Sequence, residues 1–394
     1  MKVKAIAAPP VDPVLLRLGE RLRAAGYDPA ALRERLGVSV PDDIGQLNHA
    51  PAWQRLRADR SPPAAAIRLF YLEGEERAGS LRALLPSVEQ AALARIGLLA
   101  RHAGVVRARL RLDVWGALQL LADRRLRAPD AGALRLPRGD MVYPPGSDST
   151  LLAEVVPVRD GESVLDLCTG SGIQALGVAP RAAGVVAVDI GARAAALARI
   201  NAALNGAGNV AVRRGDLFAP VRGERFDLLL ANPPFVPGPQ RGPAYHSGGP
   251  LGDRVLRRVV AGLGEHLRAG GRALIVSHLA LRRGQSVAEA IAPWVRGFDG
   301  RVLALQLESG TPVDLAAAQS LFALDEGFAA YAREVQAWVK YLDRHRVERI
   351  ALLLLAAARG GAGGLEVVDA FQRTLPLPLS QPPAALIATW LNRA

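Results

Sequence analysis

The chain has 394 residues, half apolar and 22% charged, which excludes wholesale disorder and, at roughly 100–200 residues per domain, suggests two or three domains. Its one cysteine, Cys168, excludes an intramolecular disulfide and any cysteine-built metal cluster, so no metal site is expected. The net charge is +12, of which +8 falls in residues 1–140 (23 Lys+Arg against 15 Asp+Glu). A basic front half points to a polyanionic partner, nucleic acid first, although only three of the 49 basic residues are lysine and a general arginine bias explains the excess equally well.

Pro9, Pro10 and Asp12 interrupt any signal-peptide core at the start of the sequence. Residues 13–36 read as two short amphipathic helices broken at Tyr27-Asp28-Pro29, with Leu15, Leu16, Leu18 and Leu22 as the apolar stripe. Over 63–122 the pattern predicts helices at Pro63–Leu72, Ala78–Leu85 and Val88–Leu99. Two strands around Asp113–Gly116 follow. Three helices and a hairpin are the order of a winged helix-turn-helix, whose third helix can enter a nucleic-acid groove; the same order also serves as scaffolding or protein docking. Residues 128–147, rich in Pro and Gly, read as a linker.

From about 148 onward strands and helices alternate, which predicts a parallel α/β sheet. Strands are expected at 163–168, 184–190, 209–216, 226–231, 272–280, 301–309 and 349–357, with helices at 172–180, 192–206 and 253–271. A helical insert fills 311–345, and residues 376–394 read as a tail with a Pro-rich run and a final short helix. The longest apolar run, Ile350–Ala358, is nine residues against the roughly 20 that span a bilayer, so a cytoplasmic protein with no membrane partner is expected.

The turn Asp166-Leu-Cys168-Thr-Gly170-Ser-Gly172-Ile is the first chemical signal. Its glycines let the backbone turn tightly and approach a ligand, and the helix that follows turns its free N–H groups toward it. The fit to the dinucleotide G-x-G-x-x-G is poor, because its first glycine falls at Cys168 and its last at Ala175. Asp166 is placed at the mouth of the sheet. Asp189, ending the next strand, suits both hydroxyls of a ribose. Asp216, ending the third, suits an adenine amine, with Leu217 against the ring.

The deciding element is Asn232-Pro233-Pro234-Phe235, directly after the apolar strand FDLLLA. The diproline fixes φ twice and removes two N–H donors. The Asn232 side-chain oxygen and the Pro233 carbonyl can then accept at one spot beside the flat face of Phe235. That arrangement suits a planar, conjugated NH2 group: a carboxamide or an exocyclic base amine.

Together these residues resemble a class I S-adenosylmethionine-dependent methyltransferase, and more narrowly the HemK/PrmC family. The resemblance covers about 140–360 and rests on VYPPGSDSTLL (142–152), DLCTGSG, GDLFAP (215–220), NPPFV (232–236) and YHSGGPLGD (245–253) in order and spacing. It implies a Rossmann-like, seven-stranded methyltransferase sheet over 141–375; the pattern before it gives a mainly helical substrate-recognition region over 1–140, winged-helix-like at 63–122. S-adenosylmethionine is the implied cofactor. Cys168, Gly170 and Gly172 would line its methionine moiety near Asp166, Asp189 its ribose, and Asp216 with Leu217 its adenine. Ser149 falls near its carboxylate, and Asn232, Pro233 and Phe235 hold the acceptor nitrogen. Three departures stand out: Ser147 replaces the acid common in the opening motif, Phe235 stands where glutamine-modifying members usually have Tyr, and the front half does not match the family's helical release-factor-binding domain.

The implied reaction is in-line displacement of the sulfonium methyl by the acceptor nitrogen, catalysed by orientation and acceptor dipoles. His246 and His278 read as incidental. The acceptor favoured by Phe235 and the basic front is a nucleic-acid base, adenine N6 or guanine N2 in rRNA, tRNA or DNA. Protein glutamine, in a release factor or ribosomal protein, is the alternative. A third reading is a silent module that docks RNA or the ribosome.

Overall fold

The computed structural model describes residues 13–38, 49–124, 140–238, 248–361, 363–370 and 383–392. Most of the predicted linker, His246 and the start of the 245–253 motif lie outside them.

The front of the chain begins with α1 (Pro13–Ala24) and α2 (Pro29–Leu36). Leu15, Leu18 and Leu22 are buried as the stripe predicts, but Leu16 faces outward and Val14 takes its place in the core. Asp28 caps α2 by accepting from the Ala31 N–H at 2.8 Å, and Gly37 ends it in the left-handed region at φ 69°. After α3 (His49–Leu56), helix α4 (Pro62–Ala66) continues into a π-helical turn at Ile67–Tyr71. Strand β1 (Glu75–Arg77) follows.

Residues 78–85, predicted helical, form successive turns; Gly79 and Pro86 bracket a stretch too short to propagate a helix. Helix α5 (Ser87–Arg95) stops four residues before the predicted end. Leu99–His102 is strand β2, paired antiparallel with β3 (Val105–Ala108), and β1 completes a three-stranded sheet in the order β1-β3-β2. Ala103 and Gly104, both at positive φ, make the tight turn that a two-residue hairpin needs. The predicted hairpin around Asp113–Gly116 is a second one, β4 (Arg111–Trp115) and β5 (Leu118–Ala122).

The second half carries α6 (Ser147–Val155), β6 (Ser163–Leu167), α7 (Ile173–Val178), β7 (Gly184–Asp189), α8 (Ala192–Leu204), β8 (Val210–Arg214) and β9 (Phe226–Ala231). Then come α9 (Arg254–His266), β10 (Leu267–Arg282), α10 (Val287–Val295), β11 (Gly300–Gly310), α11 (Pro312–Ser320), α12 (Phe328–Arg344), β12 (Val347–Arg359), β13 (Gly364–Asp369) and α13 (Pro383–Leu391). They build one sheet in the order β8-β7-β6-β9-β10-β12-β11-β13. Strand β12 runs antiparallel to both neighbours, and the other pairs are parallel.

The architecture is Rossmann-like as expected, with eight strands rather than seven. The added edge strand β13 is only half buried, so it lacks the fully apolar run that marks a central strand. Within the predicted tail, the described residues 383–392 are not detached from the fold. Ile387 and Trp390 of α13 join the core beside Leu152 and Val155, and the Trp390 indole N–H donates to Glu366 of β13 at 2.9 Å. The front region shares its core with the sheet domain, because Leu197 and Leu204 of α8 pack with Leu15, Leu18 and Leu22.

Candidate functional site

The loops after β6 and β9 meet where the strand order reverses, the position where open α/β sheets hold ligands. In the first loop Cys168, Gly170 and Gly172 all have positive φ (58°, 55° and 92°). A Cβ on Gly170 would find nothing within 4 Å, so the loop faces open space there. Burial pushes the Cys168 thiol well above its ordinary range, helped by the neighbouring Asp189 and Asp166 charges, so it is no nucleophile at neutral pH.

Asp166 lies beneath this loop, fully buried, and not at the mouth of the sheet. Strand alternation turns its side chain under the following helix. Its Oδ2 accepts from the Thr169 hydroxyl at 2.5 Å and the Ala175 N–H at 3.1 Å, while Oδ1 is buried with no hydrogen-bond partner. Burial lifts its pKa to about 7 against those two bonds.

Asp189 ties two loops together. It accepts from the Gly170 N–H at 3.0 Å and from the Gly191 N–H at 2.8 Å, and burial raises its pKa. Asp216 is half exposed and pairs with Arg258 at 2.7 Å, so it is not the free acceptor expected, although one oxygen remains for a further bond. Leu217 is buried beside it, and Phe218 stacks on His266 with centroids 4.3 Å apart. These residues line a cavity of about 390 Å³.

On the other side, the Asn232 side-chain N–H groups donate to Asp148 Oδ2 at 2.7 Å and to Ser149 Oγ at 3.0 Å. Both N–H groups are thereby committed, which leaves Oδ1 as the accepting atom of the amide. Asp148 was missed because the opening motif was aligned one residue early, on Ser147. Its signal was the acid in Ser147-Asp148-Ser149-Thr150 at the start of α6. Phe235 packs on His278, with ring centroids 4.4 Å apart and planes tilted by 35°, so His278 is part of this side rather than incidental. Burial lowers the His278 pKa, opposed by the Asp148 and Glu308 charges, and keeps the imidazole neutral at pH 7.

The insert stands over this loop. A Cβ on Gly238 would lie 3.1 Å from the Trp338 ring, and the Tyr341 hydroxyl donates to the Pro250 carbonyl at 3.1 Å. Its surface is apolar at Val313, Leu321 and Phe328, the last 75% exposed.

The basic front is partly neutralised within itself. Arg17 and Arg21 meet Glu89, Arg35 meets Asp59, Arg68 meets Glu76, and Arg124 meets Glu73. On α5 the polar Glu89 and Gln90 point inward, while Val88 is 76% exposed. Among the described residues no group of three His, Cys, Asp or Glu could hold a metal, and no helix is long and apolar enough to cross a membrane.

Residues 146–292 match the family model of the methyltransferase small domain, and residues 24–109 match a domain of unknown function, DUF7059. A release factor glutamine methyltransferase of Cereibacter sphaeroides is 31% identical over 248 residues, covering 54% of this chain and 88% of that protein. One from Xylella fastidiosa is 37% identical over 153 residues, covering 35% of this chain. The ribosomal protein uL3 glutamine methyltransferase of Bradyrhizobium diazoefficiens is 40% identical over 124 residues, covering 28% of this chain. The match spans 55% of the Xylella protein and 39% of the Bradyrhizobium one.

Proposed function

The chain belongs to the HemK/PrmC family of class I S-adenosylmethionine-dependent methyltransferases, and from that premise we propose that it methylates the side-chain amide nitrogen of a glutamine in a translation protein. The carrying observation is the Asn232 amide, locked by Asp148 and Ser149 with its oxygen left to accept beside Phe235.

The residues suit the cofactor. Asp189 offers lone pairs to a ribose diol. The orphaned, buried Asp166 Oδ1 and the open space beside Gly170 suit a compact cationic group such as an amino-acid ammonium. When bound, S-adenosylmethionine supplies an electrophilic methyl on a positively charged sulfur.

The protein's own contribution is orientation. An amide nitrogen is a poor nucleophile because its lone pair is delocalised. Two acceptors, Asn232 Oδ1 and the Pro233 carbonyl, draw on its hydrogens and favour the geometry in which the lone pair faces the methyl. Phe235, backed by neutral His278, gives the flat wall that holds the amide plane. The nitrogen becomes strongly acidic once methylated, so its proton leaves to water and no protein base is required.

A base amine fits the same clamp, and Phe235 favours it by offering a stacking face. Glutamine is supported better by the relatives' activities and by the exposed faces of α5 and of the insert. The outward residues Val88 of α5 and Phe328 of the insert are apolar, whereas a groove-binding surface is dense in guanidinium and amide groups. The test is methyl transfer from labelled cofactor into cell extract. Glutamine predicts label that survives ribonuclease and is lost to protease; label that survives protease and is lost to ribonuclease would move the assignment to a nucleic-acid base. A chain that binds no S-adenosylmethionine in calorimetry would be a silent module.

A further inference from the structure

Strand β5 lies in a two-stranded hairpin, so one of its edges needs partners for its backbone groups. Two side chains of α8 supply them. Asn201 Oδ1 accepts from the Leu121 N–H at 2.8 Å, and Asn201 Nδ2 donates to the Leu121 carbonyl at 2.9 Å. Two residues along the same edge, Asn205 accepts from the Gln119 N–H at 3.0 Å and donates to its carbonyl at 2.7 Å. The spacing of four on a helix matches the spacing of two on a strand edge, so two amides stand in for a neighbouring strand.

The two asparagines differ in their remaining N–H. That of Asn205 returns to the Asn201 carbonyl at 2.8 Å, within its own helix. That of Asn201 donates to the Ser171 carbonyl at 2.8 Å, inside the glycine loop. Asn201 has no solvent exposure, so water cannot replace it. The Ser171 carbonyl belongs to the peptide that enters Gly172, whose φ of 92° starts α7. Holding that carbonyl fixes the peptide plane on which the loop turns.

We propose that Asn201 is a positioning residue of the cofactor loop, and that through it the β4–β5 hairpin is a working part of the cofactor site. The proposal rests on the cofactor reading above. Linkage then makes the effect mutual: a hairpin that holds the loop for the cofactor must itself be held more firmly when the cofactor binds.

Two measurements on the full chain test it. Hydrogen exchange with and without S-adenosylmethionine should show slower exchange at the Leu121 amide as well as at residues 168–172. Protection confined to the loop, with Leu121 unchanged, would overturn the proposal. Calorimetry on Asn201→Ala and Asn205→Ala, both of which loosen the hairpin, should show cofactor affinity lowered at least ~10-fold in the first and within ~3-fold of wild type in the second. Equal losses in both variants would reduce Asn201 to a structural residue. Should Asn201→Ala fail to fold, the wild-type exchange experiment still decides. Absence of any cofactor binding by the wild-type chain would instead remove the premise.

Discussion

On the side of the crevice formed after β6 and β7, Asp166 and Asp189 reach loop amides and hydroxyls no more than nineteen positions away. On the side formed after β9, Asn232 is held by Asp148 and Ser149, 84 and 83 positions distant, and the insert leans in from Trp338 and Tyr341. On the first side the acids bond within their own β-turn-α units, with Asn201 tying the loop to the β4–β5 hairpin as its longer-range support. The acceptor side exists only once the whole sheet has assembled. A mainly local set of acids can be kept while the acceptor side changes, and that explains how one cofactor fold serves many acceptors.

The comparison breaks most visibly at Asn232. Asn232→Ala should keep S-adenosylmethionine affinity within a few-fold and lose at least ~100-fold in kcat, the scale of a lost oxyanion-hole donor. Equal losses in affinity and turnover would assign Asn232 to both sides. Asp189→Ala should do the reverse, weakening the cofactor Kd by about 10–100-fold through lost charge-assisted hydrogen bonds, with kcat at saturation little changed. Asp148→Asn keeps the shape of α6 but replaces an acceptor with an amide free to rotate. About tenfold in kcat should go, with cofactor affinity intact, if Asp148 orients Asn232.

The smallest effect is on stability and separates Asp166 from the other acids. Its carboxyl titrates at about 7 in the fold, against about 3.9 in an unfolded chain. The native state therefore binds the proton more tightly, and stability from this group is fully present below about pH 4 and is lost as pH rises through about 7. Asp166→Asn can accept at Oδ1 from Thr169 and Ala175 without ionising. Its melting temperature should gain on wild type between about pH 4 and pH 7 and run parallel above, with no cofactor present. A constant difference across that range would show that Asp166 titrates normally.

The same contrast governs what the sequence could disclose. The parallel strands were legible because each is a short apolar run closed by Gly, Asp or Pro. Asp189 and Asp216 were legible because each ends or closely follows such a run, whereas Asp166 lies inside β6 and its place under the helix is set by the fold. The roles of Asp148 and His278 were not legible, since their partners Asn232 and Phe235 are distant in the chain and the acid before Ser149 was the one local mark of Asp148. Strand β2 was hidden because Leu99–His102 follows helix α5 with only Ile96, Gly97 and Leu98 between them, and propensity continues the helix until the hairpin stops it. Strand β13 escaped because an edge strand has no buried period of its own, and the final short helix, though expected, looks detached until Trp390 is seen in the core.

Cys168 has a practical use. It is the only thiol of the chain, it is only partly buried, and it stands on the glycine turn beside the proposed cofactor crevice. Its raised pKa leaves little thiolate, so alkylation of native protein will be slow. The modification rate is readable by intact mass without any introduced probe, and a ligand that covers the turn should slow it further.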